Sequence, residues 1–129
     1  MSPAAAAELA MLTSASGVGL WLGVDYLRRR RMRPGMIGAH FLLGAASLEV
    51  MVMTIHGGPA LQKTAPGAIG ILALAATGLA MASGLIAGLI ARRSRRTADL
   101  TLATHTTFAM AGLLLFLIWI FGTSAQTVG

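Results

Sequence analysis

Hydrophobic and polar residues alternate along this chain in blocks of helix length rather than at single positions. Four apolar runs cover about residues 4–27, 34–56, 66–91 and 99–121, and short polar segments separate them. An α-helix rises about 1.5 Å per residue, so a run of about 20 apolar residues crosses a hydrocarbon core about 30 Å thick. The pattern therefore predicts four transmembrane helices.

Residues at the ends of the runs agree with these limits. Pro34 suits the first turn of the second helix, and Gly57, Gly58 and Pro59 are expected to end it. Asp99 is predicted to be an acidic residue at the start of the fourth helix. The chain is therefore expected to be an all-α membrane protein, with one four-helix bundle over residues 1–129 and no separate domain.

The two halves of the chain carry the same residues 65 positions apart. Each half contains a glycine-spaced apolar helix, an arginine cluster and a second helix with a histidine near its start. We expect two tandem two-helix repeats, at about residues 4–57 and 66–122, related by a pseudo-twofold axis along the membrane normal. The equivalent pairs are Gly19 and Gly84, Gly23 and Gly88, Arg28 and Arg93, and His40 and His105.

The composition supports a membrane protein and its charge suggests an orientation. The chain is 56% hydrophobic and 11% charged, with a mean hydropathy of +0.76. The net charge of +6 comes mainly from two short arginine-rich loops, so it does not predict nucleic-acid binding. Positive loops are typical of the cytoplasmic side, which predicts a multi-pass protein of a bacterial plasma membrane with both termini outside.

Several kinds of chemistry are excluded by the residues that the sequence lacks. The chain has no cysteine, which excludes disulfides, thiolate-bound zinc, cysteine-ligated iron–sulfur clusters and covalently attached c-type haem. It also has no phosphate-binding loop or nucleophile motif, which argues against a hydrolase or a nucleotide-driven pump. Any metal must be held by His, Met, Glu or Asp.

Two histidines are expected at the same depth in the bundle. His40 lies six residues after Pro34, and His105 lies six residues after Asp99. Both imidazoles should therefore lie about 9 Å from the arginine-rich end of their helices. Histidines on the second and fourth helices can supply both axial nitrogens of a haem iron.

Four glycines bracket the depth of the histidines on the first and third helices. Gly19, Gly23, Gly84 and Gly88 would leave a gap where a flat porphyrin can approach the backbone. The alternative is that these small-xxx-small motifs serve close helix packing, and that the histidines are copies inherited through duplication without a role.

This arrangement of His40, His105 and the four glycines resembles the four-helix membrane b-type cytochromes. In that class, paired histidines on two helices ligate haem and glycines make room for it. The resemblance implies one low-spin haem b near the cytoplasmic side, and an electron-transfer subunit rather than an enzyme by itself. It further implies partner redox subunits or a homodimer, and electron exchange with quinone. Many members hold two haems, but here the counterpart of His56 is Phe121, so a second pair is missing.

The outer end of the second helix breaks the repeat. Glu49, Met53 and His56 follow i, i+4, i+7 spacing and share one helix face. A carboxylate at membrane depth is costly unless it is paired, protonated or functional. Three interpretations remain open: a quinone site in which His56 and Glu49 handle protons, a copper site using Met51, Met53 and His56, or packing alone.

A different functional class also accounts for the sequence. In a cofactor-free accessory subunit of a larger respiratory or photosynthetic complex, the glycines would serve helix contacts and the histidines would have no role. In a haem protein, the arginines could pair with the haem propionates. With or without haem, the alternative is that they only set the orientation of the chain in the membrane. The lipid bilayer is a partner under both hypotheses.

Overall fold

The computed structural model describes residues 3–56, 67–90 and 94–126, and within them the chain forms four α-helices. These are α1 (Pro3–Leu27), α2 (Pro34–His56), α3 (Ala68–Ile90) and α4 (Arg95–Gln126). All four are long and apolar enough to cross a membrane. The predicted all-α class with four membrane-spanning helices is confirmed. The predicted stop after α2, at Gly57, Gly58 and Pro59, lies outside the described residues.

The helices pack in a ring, each against its neighbours in the chain, and α4 returns to contact α1. In the part of the chain that the structure describes, no Cα atom of α2 lies within 8 Å of one in α4, and the same holds for α1 and α3. The helices of each pair are therefore diagonally opposed. Contacts across the centre of the bundle must come from side chains.

The two ends of the bundle differ in chemistry. The arginine end contains residues 28–33 between α1 and α2, together with Arg95 and Arg96 at the start of α4. The terminal end is the opposite one, where α1 begins at Pro3 and α4 ends at Gln126.

At the arginine end, α1 stops in a Schellman motif. Arg29 adopts a left-handed backbone with φ of 57°. The amide of Arg30 donates to the carbonyl of Asp25 (2.9 Å), and the amide of Arg29 donates to the carbonyl of Tyr26 (3.1 Å). These bonds satisfy carbonyls that have no partner within the helix. Pro34 then starts α2, as predicted.

The fourth helix starts earlier than the sequence pattern predicted. It begins at Arg95 rather than at Asp99. The Ser94 hydroxyl accepts hydrogen bonds from the Thr97 amide (3.4 Å) and the Thr97 hydroxyl (3.0 Å), and so caps the helix. Asp99 lies one turn inside and accepts a 2.6 Å hydrogen bond from the Tyr26 hydroxyl, which ties α1 to α4.

The apolar core occupies the half of the bundle nearer the terminal end. Met51 and Phe116 have no exposed surface, and each is followed one turn later by a second buried residue on the same helix face. The buried cluster consists of Leu12, Met51, Ile55, Ala73, Phe116 and Ile120. The histidines lie in the other half, nearer the arginine end.

Large apolar side chains also cover the outside of the bundle. Leu20 is 72% exposed, Leu89 77% and Leu100 64%. In water such a surface would drive aggregation, whereas in a bilayer these side chains meet lipid tails of the same polarity. Contact with a lipid bilayer follows from this surface and from the four spanning helices.

Candidate functional site

His40 and His105 meet in the centre of the bundle. Their ring centroids lie 5.8 Å apart, and the ring planes are nearly perpendicular, at 83°. Both residues are half-buried. The structure therefore brings these two imidazoles together, as their equal depth in the sequence predicted, even though the helices that carry them are diagonally opposed.

Each imidazole is oriented by a backbone carbonyl on the neighbouring helix. Nδ1 of His40 lies 3.0 Å from the carbonyl oxygen of Ala15 on α1, and Nδ1 of His105 lies 2.7 Å from that of Ala80 on α3. A carbonyl oxygen can only accept, so each Nδ1 donates its N–H. In a neutral imidazole the lone pair then resides on Nε2.

Nε2 of both rings remains available as a metal ligand. Among the described residues, no group forms a hydrogen bond with Nε2 of His40 or His105. Histidines that bind metals are typically held in this way, with the second ring nitrogen bonded to a backbone carbonyl or a carboxylate. The hydrogen bonds therefore fix both the tautomer and the direction of each ligand.

Gly19 and Gly84 make these contacts possible. Each lies four residues after the carbonyl that binds the imidazole, on the same helix face. A Cβ atom on Gly19 would lie 2.8 Å from Cε1 of His40, and one on Gly84 would lie 2.8 Å from Nδ1 of His105. The sequence interpretation assigned these glycines to a porphyrin, whereas the structure places the imidazole rings against them.

Gly23 and Gly88 lie one turn nearer the arginine end and have different surroundings. Within the described residues, no neighbouring side chain or helix comes within 4 Å of the position that a Cβ atom would take at either glycine. Gly88 is exposed, and Gly17, Gly44 and Gly78 have equally open surroundings, so this space does not by itself mark a porphyrin site. Gly19 and Gly84 are filled by the histidines.

The separation of the rings fits one metal ion between them. A histidine nitrogen binds a metal at about 2 Å, so imidazoles on opposite sides of one ion have centroids about 6 Å apart. The observed 5.8 Å is close to this value, and it is also an ordinary distance for two rings in edge-to-face contact.

The number of ligands distinguishes a haem from a bare ion. A structural zinc ion takes four protein ligands, but nowhere in residues 3–56, 67–90 or 94–126 do three or more His, Cys, Asp or Glu side chains cluster. An iron ion held by a porphyrin needs only two axial ligands from the protein. Two imidazoles are the number of ligands that a haem iron can take from the protein.

Two of the residues proposed for a second site, Glu49 and Met53, lie on the outside of α2. Glu49 is exposed and Met53 is 57% exposed, whereas Met51 is completely buried. The side chain of His56 lies outside the described residues. Because Met51 and Met53 lie on opposite sides of the helix, their thioethers do not form a joint copper site with this geometry.

The sequence interpretation missed a buried polar pair, Glu8 on α1 and Ser47 on α2. Neither residue has exposed surface, and the Ser47 hydroxyl donates to Oε1 of Glu8 at 2.8 Å. Oε2 of Glu8 is buried without a hydrogen-bond partner in the described part of the chain. The signal was present, because Glu8 is the single charged residue in α1 before Asp25.

Comparisons of the chain with protein-family models, curated protein sequences and solved structures find no match. The chemistry of the histidine pair must therefore be inferred from the residues that form it. Those residues are two imidazoles with fixed tautomers, two carbonyls that orient them and two glycines that admit them.

Proposed function

We propose that this protein is a membrane electron-transfer protein or subunit that holds one haem b between His40 and His105. The observation that supports this proposal most directly is the pair of imidazoles, whose ring centroids lie 5.8 Å apart across the bundle. Nδ1 of each ring is hydrogen-bonded to a backbone carbonyl. A haem would supply an iron that exchanges single electrons. If His40 and His105 both bound the iron, no coordination position would remain for oxygen, which favours electron transfer over oxygen chemistry.

The chain's own residues would orient the ligands and limit their movement. The Ala15 and Ala80 carbonyls hold the imidazoles in one tautomer and one direction. Gly19 and Gly84 admit the rings without a side chain in the way. Imidazoles that keep the same position in the oxidised and reduced states would keep the structural change on electron transfer small.

Repeat-equivalent residues have equivalent contacts, which supports two tandem repeats at about residues 4–57 and 66–122. Ala15 and Ala80, 65 positions apart, accept the same bond from histidines that are also 65 positions apart. Buried core residues repeat at the same interval, with Met51 matching Phe116 and Ile55 matching Ile120. A pseudo-twofold axis along the membrane normal would relate the two halves.

The arginine end is proposed to face the cytoplasm, so that both termini are outside a bacterial plasma membrane. The haem would then lie in the cytoplasmic half of the bilayer. Arginines at this end, such as Arg31, which is exposed, would be able to pair with its propionates. Quinone would approach from the lipid side of α2, where Glu49 and Met53 are exposed.

The proposal predicts that either histidine is indispensable for a haem spectrum. We expect purified wild-type protein to be red, with a Soret band that shifts on reduction, and His40→Ala or His105→Ala to lose low-spin haem. In His105→Gly, added imidazole should restore the low-spin spectrum, because it replaces the missing ligand without changing the fold. Absorbance spectra with and without dithionite provide the measurement.

Thr106→Ala is the matched control, because Thr106 is an exposed neighbour of His105 whose hydroxyl bonds only to its own helix, at Leu102. This variant should keep the spectrum unchanged. If both histidine variants retained a full low-spin b-type spectrum, the ligand assignment would be wrong.

A cofactor-free accessory subunit is the second candidate, and one observation favours it. Glu49 is exposed within the spanning segment of α2, and a carboxyl group against lipid is costly unless a partner meets it. A neighbouring subunit of a larger respiratory or photosynthetic complex would provide one. A colourless protein that copurifies with such a complex would favour this function over haem binding.

A further inference from the structure

Glu8 is buried where a carboxyl group is expensive. It has no exposed surface, it lies in a membrane-spanning helix, and only Oε1 has a hydrogen-bond partner, the Ser47 hydroxyl. Buried polar atoms are nearly always satisfied, so an orphaned one calls for an explanation. Ionisable residues in such positions generally mark a functional site.

The pair is aligned with the histidine site. Glu8 precedes Ala15 by seven residues on α1, and Ser47 follows His40 by seven residues on α2. Seven residues are close to two helical turns, about 10 Å along the axis, and return to the same helix face. The Glu8–Ser47 bond therefore repeats the Ala15–His40 contact two turns nearer the terminal end.

Packing does not require a carboxyl group at this position. The counterparts of Glu8 and Ser47 in the second half are Ala73 and Gly112, which are also buried. Helices α3 and α4 pack closely with these small residues, since a Cβ atom on Gly112 would lie 3.1 Å from the backbone nitrogen of Thr77. Thus one hairpin packs without the polar pair that the other contains.

Among the described side chains in this half of the bundle, only Glu8 is both titratable and buried. Helix α3 carries no titratable residue, and α4 carries none after His105. On α2, Glu49 is exposed, and the side chain of His56 is not among those described. The amino terminus, seven residues before Glu8, also lies outside the described residues.

We propose that Glu8 is a proton-binding residue coupled to the histidine site, taking up one proton when that site gains one electron and releasing it when the electron leaves. This inference rests on the proposed haem function. A one-electron reductant, a quinol in the membrane or dithionite in vitro, supplies the electron, and water at the terminal end supplies the proton. The bond that forms on reduction and breaks on oxidation is the carboxyl O–H bond.

Electrostatics provides the coupling. An added electron makes the interior more negative, and a proton bound about 10 Å away offsets it, because charges inside a low-dielectric bundle are poorly screened. Glu8 is also close to water, since it lies five residues after Pro3, about 7 Å from the start of α1. The proton therefore has a short path from the terminal end.

The test is the pH dependence of the midpoint potential in the full-length, haem-containing protein. In the wild type, the midpoint potential should fall as pH rises, because reduction takes up a proton. In Glu8→Gln, which keeps the size and an oxygen acceptor for Ser47, the potential should become independent of pH while the low-spin spectrum is unchanged. Infrared difference spectra should show a carboxyl band that changes on reduction in the wild type and is missing in the variant.

Two further variants keep the test decisive. If Glu8→Gln fails to fold, the double variant Glu8→Ala with Ser47→Gly copies the packing of the second half and should also abolish the pH dependence. Thr13→Ala, which changes an exposed side chain of α1 whose hydroxyl bonds within its own helix, to the Leu9 carbonyl, should leave it intact. A haem-containing Glu8→Gln protein with the wild-type pH dependence overturns this inference alone, whereas a colourless wild-type protein overturns the proposed function.

Discussion

The positions of the two imidazoles depend on neighbouring residues that have no side chain. Each imidazole reaches a main-chain carbonyl because the residue one turn further along that helix is glycine. Gly19 serves His40, and Gly84 serves His105. A glycine inside a helix lowers its stability by about 1 kcal/mol relative to alanine, so its presence at both positions indicates that the ring contact outweighs this cost.

We expect Gly19→Ala and Gly84→Ala to displace the neighbouring imidazole. A Cβ atom 2.8 Å from the ring breaks the Nδ1–carbonyl bond or moves the helix, and overpacking of this kind costs about 1–3 kcal/mol. Each variant should lower the melting temperature in detergent and shift or weaken the haem spectrum. The matched controls are Gly17→Ala on α1 and Gly44→Ala on α2, where no neighbouring group lies within 4 Å. Equal behaviour of the test and control variants would contradict this role.

At this scale, the sequence predicted the histidines but not their partners. His40 and His105 stood out because they recur at the repeat interval in an apolar background. The acceptors on Ala15 and Ala80 are main-chain atoms, and no residue type marks them. Glu8 does not stand out in the same way, because its counterpart in the second half is an alanine, Ala73.

Among the elements, the end of α1 carries local strain. Arg29 holds the left-handed position of the Schellman motif, with φ of 57°, which glycine usually occupies. For a residue with a Cβ atom this conformation costs about 1 kcal/mol. The hairpin between α1 and α2 therefore retains an unfavourable backbone in order to keep an arginine there.

Replacing Arg29 with glycine should stabilise the protein. Arg29→Gly removes the Cβ clash while keeping the turn, and we expect a gain of up to about 1 kcal/mol in unfolding free energy. Thermal unfolding in detergent measures the change, with Arg31→Gly, outside the motif, as the control that should gain nothing. A lower melting temperature for Arg29→Gly than for Arg31→Gly would count against the strain.

The hydrophobic pattern predicted the start of a helix correctly where a proline marks it. The second helix begins at Pro34, as the pattern indicated. The fourth began four residues before Asp99, because Ser94 caps it from within the arginine-rich segment. The hydrophobic pattern did not predict this start, because the first turn of α4 contains charged residues and precedes the apolar run.

For the whole molecule, the orientation in the membrane is testable because the chain has no cysteine. We expect Gly67→Cys, at an exposed position just before α3, to react with a membrane-impermeant maleimide in intact cells. Arg31→Cys, exposed at the arginine end, should react only after the membrane is permeabilised. The reverse pattern would place the arginine end outside and contradict the orientation inferred from charge.

The carbonyl bonds to the imidazoles lie within a hairpin and not between hairpins. His40 is held by Ala15 of the first hairpin, and His105 by Ala80 of the second. Each hairpin thus orients its own imidazole with its own backbone. Under the proposed duplication, a single hairpin would have needed only a second copy of itself to supply the opposite imidazole. One copy could then acquire an acid such as Glu8 without its appearing twice.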